Sequence, residues 1–452
     1  MFKRVLIANR GEIALRIIRA CRELDAEVVC VYSKADAGAP YLKLADKAVC
    51  IGAAPSRESY LNIPRIIAAA EIAEADAIHP GYGFLAERAD FAEVCRDCGI
   101  EFIGPSPEAM GKLGDKVEGK RNAKLAKVPV FPGSEGAIED VDEAAEVAGK
   151  IGYPVIIKAA AGGGGRGMRV CRTESDVREN VQKARQEAQA AFGNGSVFIE
   201  KYLEHARHVE VQVIGDKHGH AVHLFERDCS VQRRHQKLIE EATAPNVDRK
   251  RRDAVCESAA RLIKSVNYSG AATVEFLMDE KQNFYMLEVN TRVQVEHPVT
   301  EAITGIDIVK TTILVAANAQ LPFKQKDVEQ RGHAMEFRIN AEDPAKNFMP
   351  SAGRIDTWRP AGGPGIRLDS HVIPGYTVPP TYDSMVGKLI VHAEDRKTVI
   401  KRAQRALREF EVGPIKTTIP LHLEILAQEP FATGGVDIHY LERYLAAGKN
   451  DR

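Results

Sequence analysis

The sequence predicts a multidomain chain of the α/β and α+β classes, in which a parallel-sheet domain comes first and antiparallel strands predominate later. Three observations support this prediction. The chain has 452 residues, more than one hydrophobic core usually accommodates. Short apolar runs alternate with amphipathic helical stretches over residues 1–113, which is typical of a parallel sheet covered by helices. From about residue 204, strands of alternating polarity follow one another.

The N-terminal stretch has the pattern of a strand–helix–strand unit. "KRVLIA" predicts a first strand, "EIALRIIRACREL" has apolar residues at helical spacing, and "AEVVCVYS" predicts a second buried strand. Residues 60–83 and 91–105 repeat the alternation more loosely. The first turn, "ANRGEI", has one glycine and lacks the dinucleotide fingerprint. We therefore expect residues 1–113 to form a Rossmann-like domain that binds no dinucleotide.

Four further segments follow along the chain. A charged helical linker is expected over 114–130, a small α/β unit over 131–203, a strand-rich unit over 204–330 and a β-rich C-terminal domain over 331–452. The last contains the strand "GHAMEFRINAE", several Gly/Pro turns and the amphipathic helix "RKTVIKRAQRALREFEV".

Composition excludes several function classes. Hydrophobic residues make up 44% and charged residues 28% of the chain, as in an ordinary soluble globular protein. With 62 basic and 63 acidic side chains, the net charge of -1 predicts no bulk attraction to nucleic acid or to a membrane. Cys95 and Cys98 form a C-x-x-C without a second pair, so neither zinc nor redox chemistry is expected there. The N-terminus resembles neither a signal nor a transit peptide, so we expect a cytoplasmic protein.

A run of four glycines lies in "YPVIIKAAAGGGGRGMRV". Gly162, Gly164 and Gly167 match the G-x-G-x-x-G spacing of dinucleotide sites, but that fingerprint requires a helix directly after the loop. Here "MRVCR" predicts a strand, and the next helix begins near Glu174. The segment is therefore a predicted hairpin, comparable to the glycine-rich hairpin that covers ATP phosphates in kinases. Lys158 before the loop favours phosphate binding over a merely flexible surface hairpin.

A second pattern lies in "TVEFLMDEKQNFYMLEVNTRVQVEH", where two predicted strands join at a polar turn. Glu275 on one strand and Glu288 and Asn290 on the other offer only oxygen ligands, which suit Mg²⁺ held against phosphates. A solvated polar face is the alternative. Apolar residues flank both glutamates, and a buried carboxylate needs a partner, so a metal site is favoured.

Polar and charged residues next to this hairpin suggest an anion site. Arg292, Gln294 and Glu296 alternate with valines, and period-two spacing would place the three on one face. A cation, an amide and a carboxylate together suit a small oxyanion and a base. The segment "ERDCSVQRRHQK" adds a basic run, which alone would equally be a surface face: Arg227, Arg233, Arg234, His235 and Lys237.

Taken together, eight motifs resemble biotin carboxylase, an ATP-grasp enzyme. They occur in order from about residue 2 to 445: "ANRGEIALRIIRACREL", "HPGYGFLAE", "GGGGRGMRV", "EKYLEHARHVEVQV", "ERDCSVQRRHQK", "LEVNTRVQVEHPVTE", "EFRINAED" and "YTVPPTYDSMVGKLI". The resemblance implies an ATP-grasp fold for the central part, in which 131–203 is a small mobile lid and 204–330 the catalytic subdomain.

The resemblance also implies a ligase that uses ATP, two Mg²⁺ or Mn²⁺ ions, bicarbonate and biotin. ATP would contact the following residues: Lys116, Lys158, Gly164, Gly165, Glu200, Lys201, Tyr202, Leu203, His208, Gln232, His235, Glu275 and Glu288. The metals would be held by Glu275, Glu288 and Asn290.

Bicarbonate and biotin would lie near the same metals. Bicarbonate would be bound by Lys237, Arg292, Gln294 and Val295, and biotin by Tyr82 and Arg338. Of these, Arg292, Lys237 and Arg338 would also be catalytic, together with Glu296, the general base that deprotonates bicarbonate.

Partners are implied as well. No Met-Lys-Met biotinylation segment is present, so we expect the biotin on a separate biotin carboxyl carrier protein and its transfer to carboxyltransferase subunits. A homodimer is expected, with Arg19 and Glu23 in the contacting helix. Pro364 stands where an aromatic residue is expected near that contact, which puts the strength of the dimer in doubt.

Several alternatives stay open on the sequence. The carboxyl acceptor could be acetyl-CoA, which would connect the chain to fatty acid biosynthesis, or another acyl-CoA or pyruvate. Another ATP-grasp ligase would share the phosphate and metal residues and differ at Tyr82 and Arg338. A non-catalytic nucleotide-binding protein is disfavoured because every inferred metal ligand is present, and a dehydrogenase is disfavoured by the predicted hairpin.

Overall fold

The computed structural model describes residues 1–134, 136–138, 140–159 and 168–450. By their contacts these residues form two compact units. One comprises Met1–Val128, Arg207–Phe276 and the chain from Glu288 onward, and the other comprises the described part of Pro129–Ala206 with Leu277–Leu287. The predicted five-part division of the chain stays a prediction.

The first unit begins with the predicted parallel sheet. Its strands lie in the order β3-β2-β1-β4-β5, and every pairing is parallel. Apolar runs such as "RVLI" are buried on both faces because helices cover the sheet. The elements are β1 (Arg4–Ile7), α1 (Gly11–Arg22), β2 (Glu27–Ser33), β3 (Lys47–Gly52), α2 (Ile63–Ile72), β4 (Ala77–His79), α3 (Ala89–Asp97), β5 (Glu101–Phe102), α4 (Pro107–Gly114) and α5 (Lys116–Leu125).

The second unit contains the predicted glycine-loop hairpin. Its strands lie in the order β7-β6-β8, and β6 pairs with β7 in antiparallel register, Ile156 opposite Val170. The helix after this hairpin begins at Glu174, where Thr173 caps it. The hairpin and the helix start are therefore confirmed, which excludes the dinucleotide fingerprint. The elements are α6 (Val141–Ile151), β6 (Val155–Ala159), β7 (Arg169–Cys171), α7 (Glu174–Phe192) and β8 (Val197–Lys201).

A long sheet of order β13-β12-β9-β10-β11-β14-β21-β19 carries seven of the predicted site residues: His208, Gln232, Lys237, Glu275, Glu288, Asn290 and Arg338. Its buried side chains include a large apolar cluster around Phe337 and Leu389, packed under α11 and α12. The elements are β9 (Arg207–Gly215), β10 (Ala221–Arg233), β11 (Gln236–Ala242), α8 (Arg249–Ser265), β12 (Gly270–Met278), β13 (Phe284–Asn290), α9 (His297–Thr304), α10 (Ile308–Ala316), β14 (His333–Asn340), β15 (Glu342–Asp343), β16 (Met349–Pro350), β17 (Gly353–Arg354), β18 (Thr357–Arg359), β19 (Ile366–Asp369), β20 (Thr377–Val378), β21 (Met385–Ala393), α11 (Arg396–Glu409), β22 (Glu411–Gly413), α12 (Ile419–Leu426), α13 (Glu429–Thr433) and α14 (Tyr440–Asn450).

The predicted fold class is confirmed by this arrangement of parallel and antiparallel sheets. The strands expected from "HVEVQVIGD", "AVHLFERDCSVQ" and "GHAMEFRINAE" are β9, β10 and β14, and the expected amphipathic helix is α11. Among the described helices, none has the length and apolar character needed to span a membrane.

Candidate active site

Lys237 lies at the centre of a buried charge cluster in the first unit. It follows a two-residue turn between β10 and β11, in which Arg234 and His235 both have positive φ angles of 48° and 64°. Such a turn matches the twist of antiparallel strands. The Lys237 ammonium lies 2.6 Å from Glu210, 2.6 Å from Glu296 and 3.1 Å from Glu275. Three carboxylates from three separate elements therefore converge on one cation.

Glu210 is held by a second cation, the fully buried Arg227. The Arg227 guanidinium donates to Glu210 at 2.6 Å, to Gln212 at 2.7 Å, to Thr300 at 3.0 Å and to Thr273 at 3.1 Å. The alternative that this basic run is a surface face is therefore wrong for Arg227. Arg227 is a buried anchor that fixes the carboxylate beside Lys237.

Glu296 connects the lysine to Arg338. It directly precedes α9 and is fully buried; its Oε1 accepts from Lys237 at 2.6 Å and its Oε2 from Arg338 at 2.9 Å. Burial by itself would raise the pKa of Glu296, but Lys237 and Arg338 outweigh it and hold that pKa below the usual value. Glu296 is therefore an ionised carboxylate between two cations.

Arg338 on β14 also binds a residue that the sequence did not single out. Its Nε donates to Glu240 of β11 at 2.6 Å. Burial raises the pKa of Glu240 to about 7, although Arg338 opposes the shift. Glu210 and Glu240 were both missed. The signal for Glu210 was the alternation in "HVEVQV", which puts His208, Glu210 and Gln212 on one face of a buried strand.

Two of the three predicted metal ligands lie together. The buried Glu275 accepts hydrogen bonds at Oε1 from Asn290 at 2.9 Å and from Gln294 at 3.2 Å. Glu288 is exposed, so the expectation that apolar neighbours bury it is wrong. It lies on β13, an edge strand of the sheet, where a carboxylate reaches solvent.

His208 extends the cluster around Glu275. Its Nε2 lies 3.3 Å from Glu275 and 3.5 Å from Glu210, so the three side chains could together hold a metal ion. Burial is the largest single influence and would lower the pKa of His208, but the charge of Glu275 and the hydrogen bonds to Glu210 and Glu275 together outweigh it and raise that pKa to about 9. His208 is therefore a cation beside Glu275, and it would have to release its proton before its Nε2 could bind a metal ion.

Residues 292–296, whose alternating pattern predicts a strand, do not form one. The chain turns there and enters α9, which has Pro298 in its first turn. The side chains still cluster: Arg292 donates to Gln294 at 3.0 Å, to Asn290 at 3.1 Å and to Glu87 at 2.9 Å. Arg292 and Gln294 therefore contact each other although this segment is a turn and not a strand.

The remaining predicted residues of the first unit lie at different depths. Gln232 is buried and pairs in register with Lys237, whereas His235 is exposed in the turn. The Tyr82 hydroxyl donates to Glu12. Lys116 begins α5, and its side chain lies outside the described residues.

In the second unit, Lys158 is the penultimate residue of strand β6, shortly before the glycine run in the sequence. Its ammonium lies 2.7 Å from Glu200 on β8. Lys201 donates to the carbonyls of Gly152 at 3.0 Å and Tyr153 at 2.9 Å, so it ties two segments of the unit together. The Tyr202 amide donates to Pro154 at 3.1 Å, and Leu203 follows half-buried. The predicted phosphate contacts Gly164 and Gly165 lie outside the described residues.

Three family models match successive parts of the chain. "Biotin carboxylase, N-terminal domain" matches residues 1–110, "Carbamoyl-phosphate synthase L chain, ATP binding domain" matches 115–324, and "Biotin carboxylase C-terminal domain" matches 336–443.

Individual relatives match along nearly the whole length. Biotin carboxylase 1 of Bacillus subtilis (strain 168) is 53% identical over 449 residues, which cover 99% of this chain and 100% of that one. A biotin carboxylase–β,γ-ATP complex from Campylobacter jejuni has a TM-score of 0.93 at 51% identity, covering 98% of this chain and 99% of that one. The biotin carboxylase domain dimer of Hydrogenobacter thermophilus 2-oxoglutarate carboxylase, solved with MgADP, ADP and bicarbonate, has a TM-score of 0.91 at 47% identity and covers 98% of both chains. With this coverage and identity, the chain belongs to the biotin carboxylase family.

Proposed function

We propose that the chain catalyses the ATP-dependent carboxylation of biotin by bicarbonate, which gives carboxybiotin, ADP and phosphate. One observation carries the chemical part of this proposal: the ionised Glu296 lies buried between Lys237 and Arg338, 2.6 and 2.9 Å away. A buried base between two cations is suited to an anionic substrate that must lose a proton.

Bicarbonate is a poor electrophile, so it must first be activated. Lys237, Arg292, Gln294 and the Val295 amide would hold the anion beside Glu296. Glu296 would take the bicarbonate proton, and the resulting dianion would attack the γ-phosphoryl group of ATP to form carboxyphosphate and ADP. Because Lys237 already contacts Glu210 and Glu275, it is held in place before the substrate arrives.

Biotin would be carboxylated beside Arg338. Carboxyphosphate decomposes to CO₂ and phosphate, the phosphate takes the N1 proton of biotin, and the deprotonated N1 attacks CO₂ to form carboxybiotin. The Arg338 guanidinium, fixed by Glu240 and Glu296, would stabilise the enolate oxygen that develops on the ureido ring. Tyr82 would contact the same ring.

The donor set fits Mg²⁺ or Mn²⁺. Glu275, Glu288 and Asn290 offer oxygen atoms only, which these ions prefer. We propose that they hold two ions, which when bound offset charge on the ATP phosphates. Glu275 accepts hydrogen bonds from Lys237 and Asn290, and these hydrogen bonds orient its carboxylate.

The proposed ATP contacts are those that the family resemblance implies. In the second unit, we propose that Lys158 binds phosphate and that residues 200–203 form the adenine-binding segment. Lys116, Gly164 and Gly165 would add phosphate contacts, and His208, Gln232 and His235 would lie near the nucleotide. The small unit of residues 131–203 would be the lid.

The proposed setting is a cytoplasmic acetyl-CoA carboxylase in which this chain is a homodimeric subunit. Its partners would be a biotin carboxyl carrier protein and carboxyltransferase subunits. A pyruvate or another acyl-CoA carboxylase is the alternative, since the carboxyltransferase selects the acceptor. Reconstitution with purified carrier and each class of transferase would distinguish these settings by the acyl-CoA or keto acid that becomes labelled from ¹⁴C-bicarbonate.

The central test uses the isolated chain with free biotin. ATP hydrolysis should require bicarbonate and should rise with added biotin, and carboxybiotin should form. Hydrolysis that biotin at high concentration fails to stimulate would instead indicate another ATP-grasp ligase, and the absence of ATP hydrolysis would indicate a non-catalytic nucleotide-binding protein.

A further inference from the structure

Lys388 is a buried lysine close to the proposed substrate residues. It lies on β21 directly opposite Arg338 of β14, and it is fully buried. Its ammonium donates to the Val295 carbonyl at 2.7 Å and lies 3.1 Å from Oε1 of Glu12. Lys388 therefore holds the backbone of the segment that we assign to bicarbonate.

Glu12 continues this contact to the residue that we assign to biotin. It lies in the first turn of α1 and is 4% exposed. Its Oε1 accepts a hydrogen bond from the Tyr82 hydroxyl and also faces Lys388. Its Oε2 has no hydrogen-bond partner among the described residues. A single oxygen thus joins Tyr82 to Lys388.

The result is a continuous path of contacts from the half-buried Tyr82 through the buried Glu12 and Lys388 to the Val295 carbonyl. We propose that Glu12 and Lys388 are positioning residues that couple the biotin site to the bicarbonate site. The proposal rests on the functions proposed above for Tyr82 and Val295. Neither Glu12 nor Lys388 is needed as an acid, base or nucleophile in the reaction.

The charged groups around Lys388 hold its ammonium in one position. Glu336 and Asp369 also act on the ammonium electrostatically, and Arg367 opposes them. Asp369 is already bonded to Arg367 at 2.7 Å. The carboxyl group of Glu336 is fully buried, and neither of its oxygens has a hydrogen-bond partner in the part of the chain that the structure describes. Of these carboxylates, Glu12 is therefore the one that connects Lys388 to Tyr82, the proposed biotin-binding residue.

The test is the pair of variants Lys388→Met and Glu12→Gln, with Lys217→Met as a control for the loss of a lysine that makes the same kinds of contact at the surface, where its side chain is 32% exposed. Lys217 makes the same two kinds of contact, to the Ala316 carbonyl at 2.7 Å and to Glu101 at 2.7 Å. It lies apart from the proposed catalytic groups. KM values for bicarbonate, biotin and ATP are measured separately, together with kcat and the unfolding midpoint.

For Lys388→Met, we expect the KM for bicarbonate to rise by about tenfold or more, because a charged donor to the Val295 carbonyl is lost. The KM for biotin should rise as well, and the KM for ATP should stay within about twofold of its original value. Lys217→Met should change none of the three. The double variant should lose less than the product of the two single effects, because the two residues act along one path.

A purely structural role would give a different result. In that case the unfolding midpoint and kcat would fall while the KM values for bicarbonate and biotin stayed unchanged, and the proposal would be overturned. If Lys388→Met does not fold, Glu12→Gln decides: it should raise the KM for bicarbonate, although Glu12 contacts no proposed bicarbonate ligand. A change confined to the KM for biotin would refute coupling.

Failure of the underlying assignment is distinguishable. Gln294→Ala removes a proposed bicarbonate ligand directly and should raise the KM for bicarbonate. If it does not, the assignment of the bicarbonate site is wrong. If it does, and Lys388→Met leaves that KM unchanged, only the coupling is wrong.

Discussion

Arg227→Met should destabilise the first unit substantially, because it keeps only the aliphatic part of the side chain and removes a buried cation. The Arg227 guanidinium makes four hydrogen bonds, and one of its acceptors, Glu210, is fully buried. Breaking a buried ion pair by removing one partner costs about 3–5 kcal/mol. Glu210 keeps Lys237 at 2.6 Å, so we expect the lower end of this range.

The measurement is the midpoint of thermal unfolding followed by circular dichroism. A loss of about 3 kcal/mol corresponds to a fall of roughly 5 °C in a domain of this size. The control is Arg96→Met, which removes surface ion pairs with Glu93 and Glu108 and should move the midpoint by less than about 1 °C. Equal shifts in the two variants would refute the interpretation of Arg227 as a buried anchor.

Three further predictions concern the charge cluster. Glu296→Ala should lower kcat by about 10²-fold or more while ATP still raises the unfolding midpoint; near-normal turnover would remove Glu296 as the base. Lys237→Gln should raise the KM for bicarbonate more than the KM for ATP, and an unchanged bicarbonate dependence would contradict its assignment. Burial raises the pKa of Glu240 to about 7, above the value of about 4.3 expected in the unfolded chain. Its contribution to stability is therefore complete below the unfolded pKa and is lost as pH rises through the folded pKa. Glu240→Gln should flatten the fall in unfolding midpoint between about pH 5 and about pH 7.5, and an unaltered slope would count against that raised pKa.

Local sequence patterns predicted strands and helices well where the apolar residues followed a single spacing, either that of a strand or that of a helix. The strand after the glycine run is confirmed as β7, paired with β6, and the following helix begins at Glu174 as expected. The parallel order at the N-terminus is also confirmed. These features depend on near neighbours in the chain, which a single sequence contains in full.

Contacts across strands could not be predicted in the same way. Arg227 and Glu210 meet because β9 and β10 pair with a register shift between His223 and Glu226, and no local pattern specifies such a shift. The alternation at Arg292 and Gln294 suggested a strand because polar side chains that converge on one site can mimic period two in a turn. The apolar neighbours of Glu288 in the sequence predict that it is buried. Its exposure depends instead on whether another strand covers β13, the edge strand on which it lies.

The two-residue turn at Arg234 and His235 limits how this part of the chain can change in evolution. Adding or deleting one residue there would shift β11 by one position against β10 and move Lys237 to the opposite face. A single insertion or deletion would thus remove the contacts of Lys237 with all three carboxylates. Substitutions in the turn should be far better tolerated, and glycine or asparagine would fit its positive φ angles with less strain. Turn length, rather than turn composition, is therefore the feature that selection on this cluster should preserve.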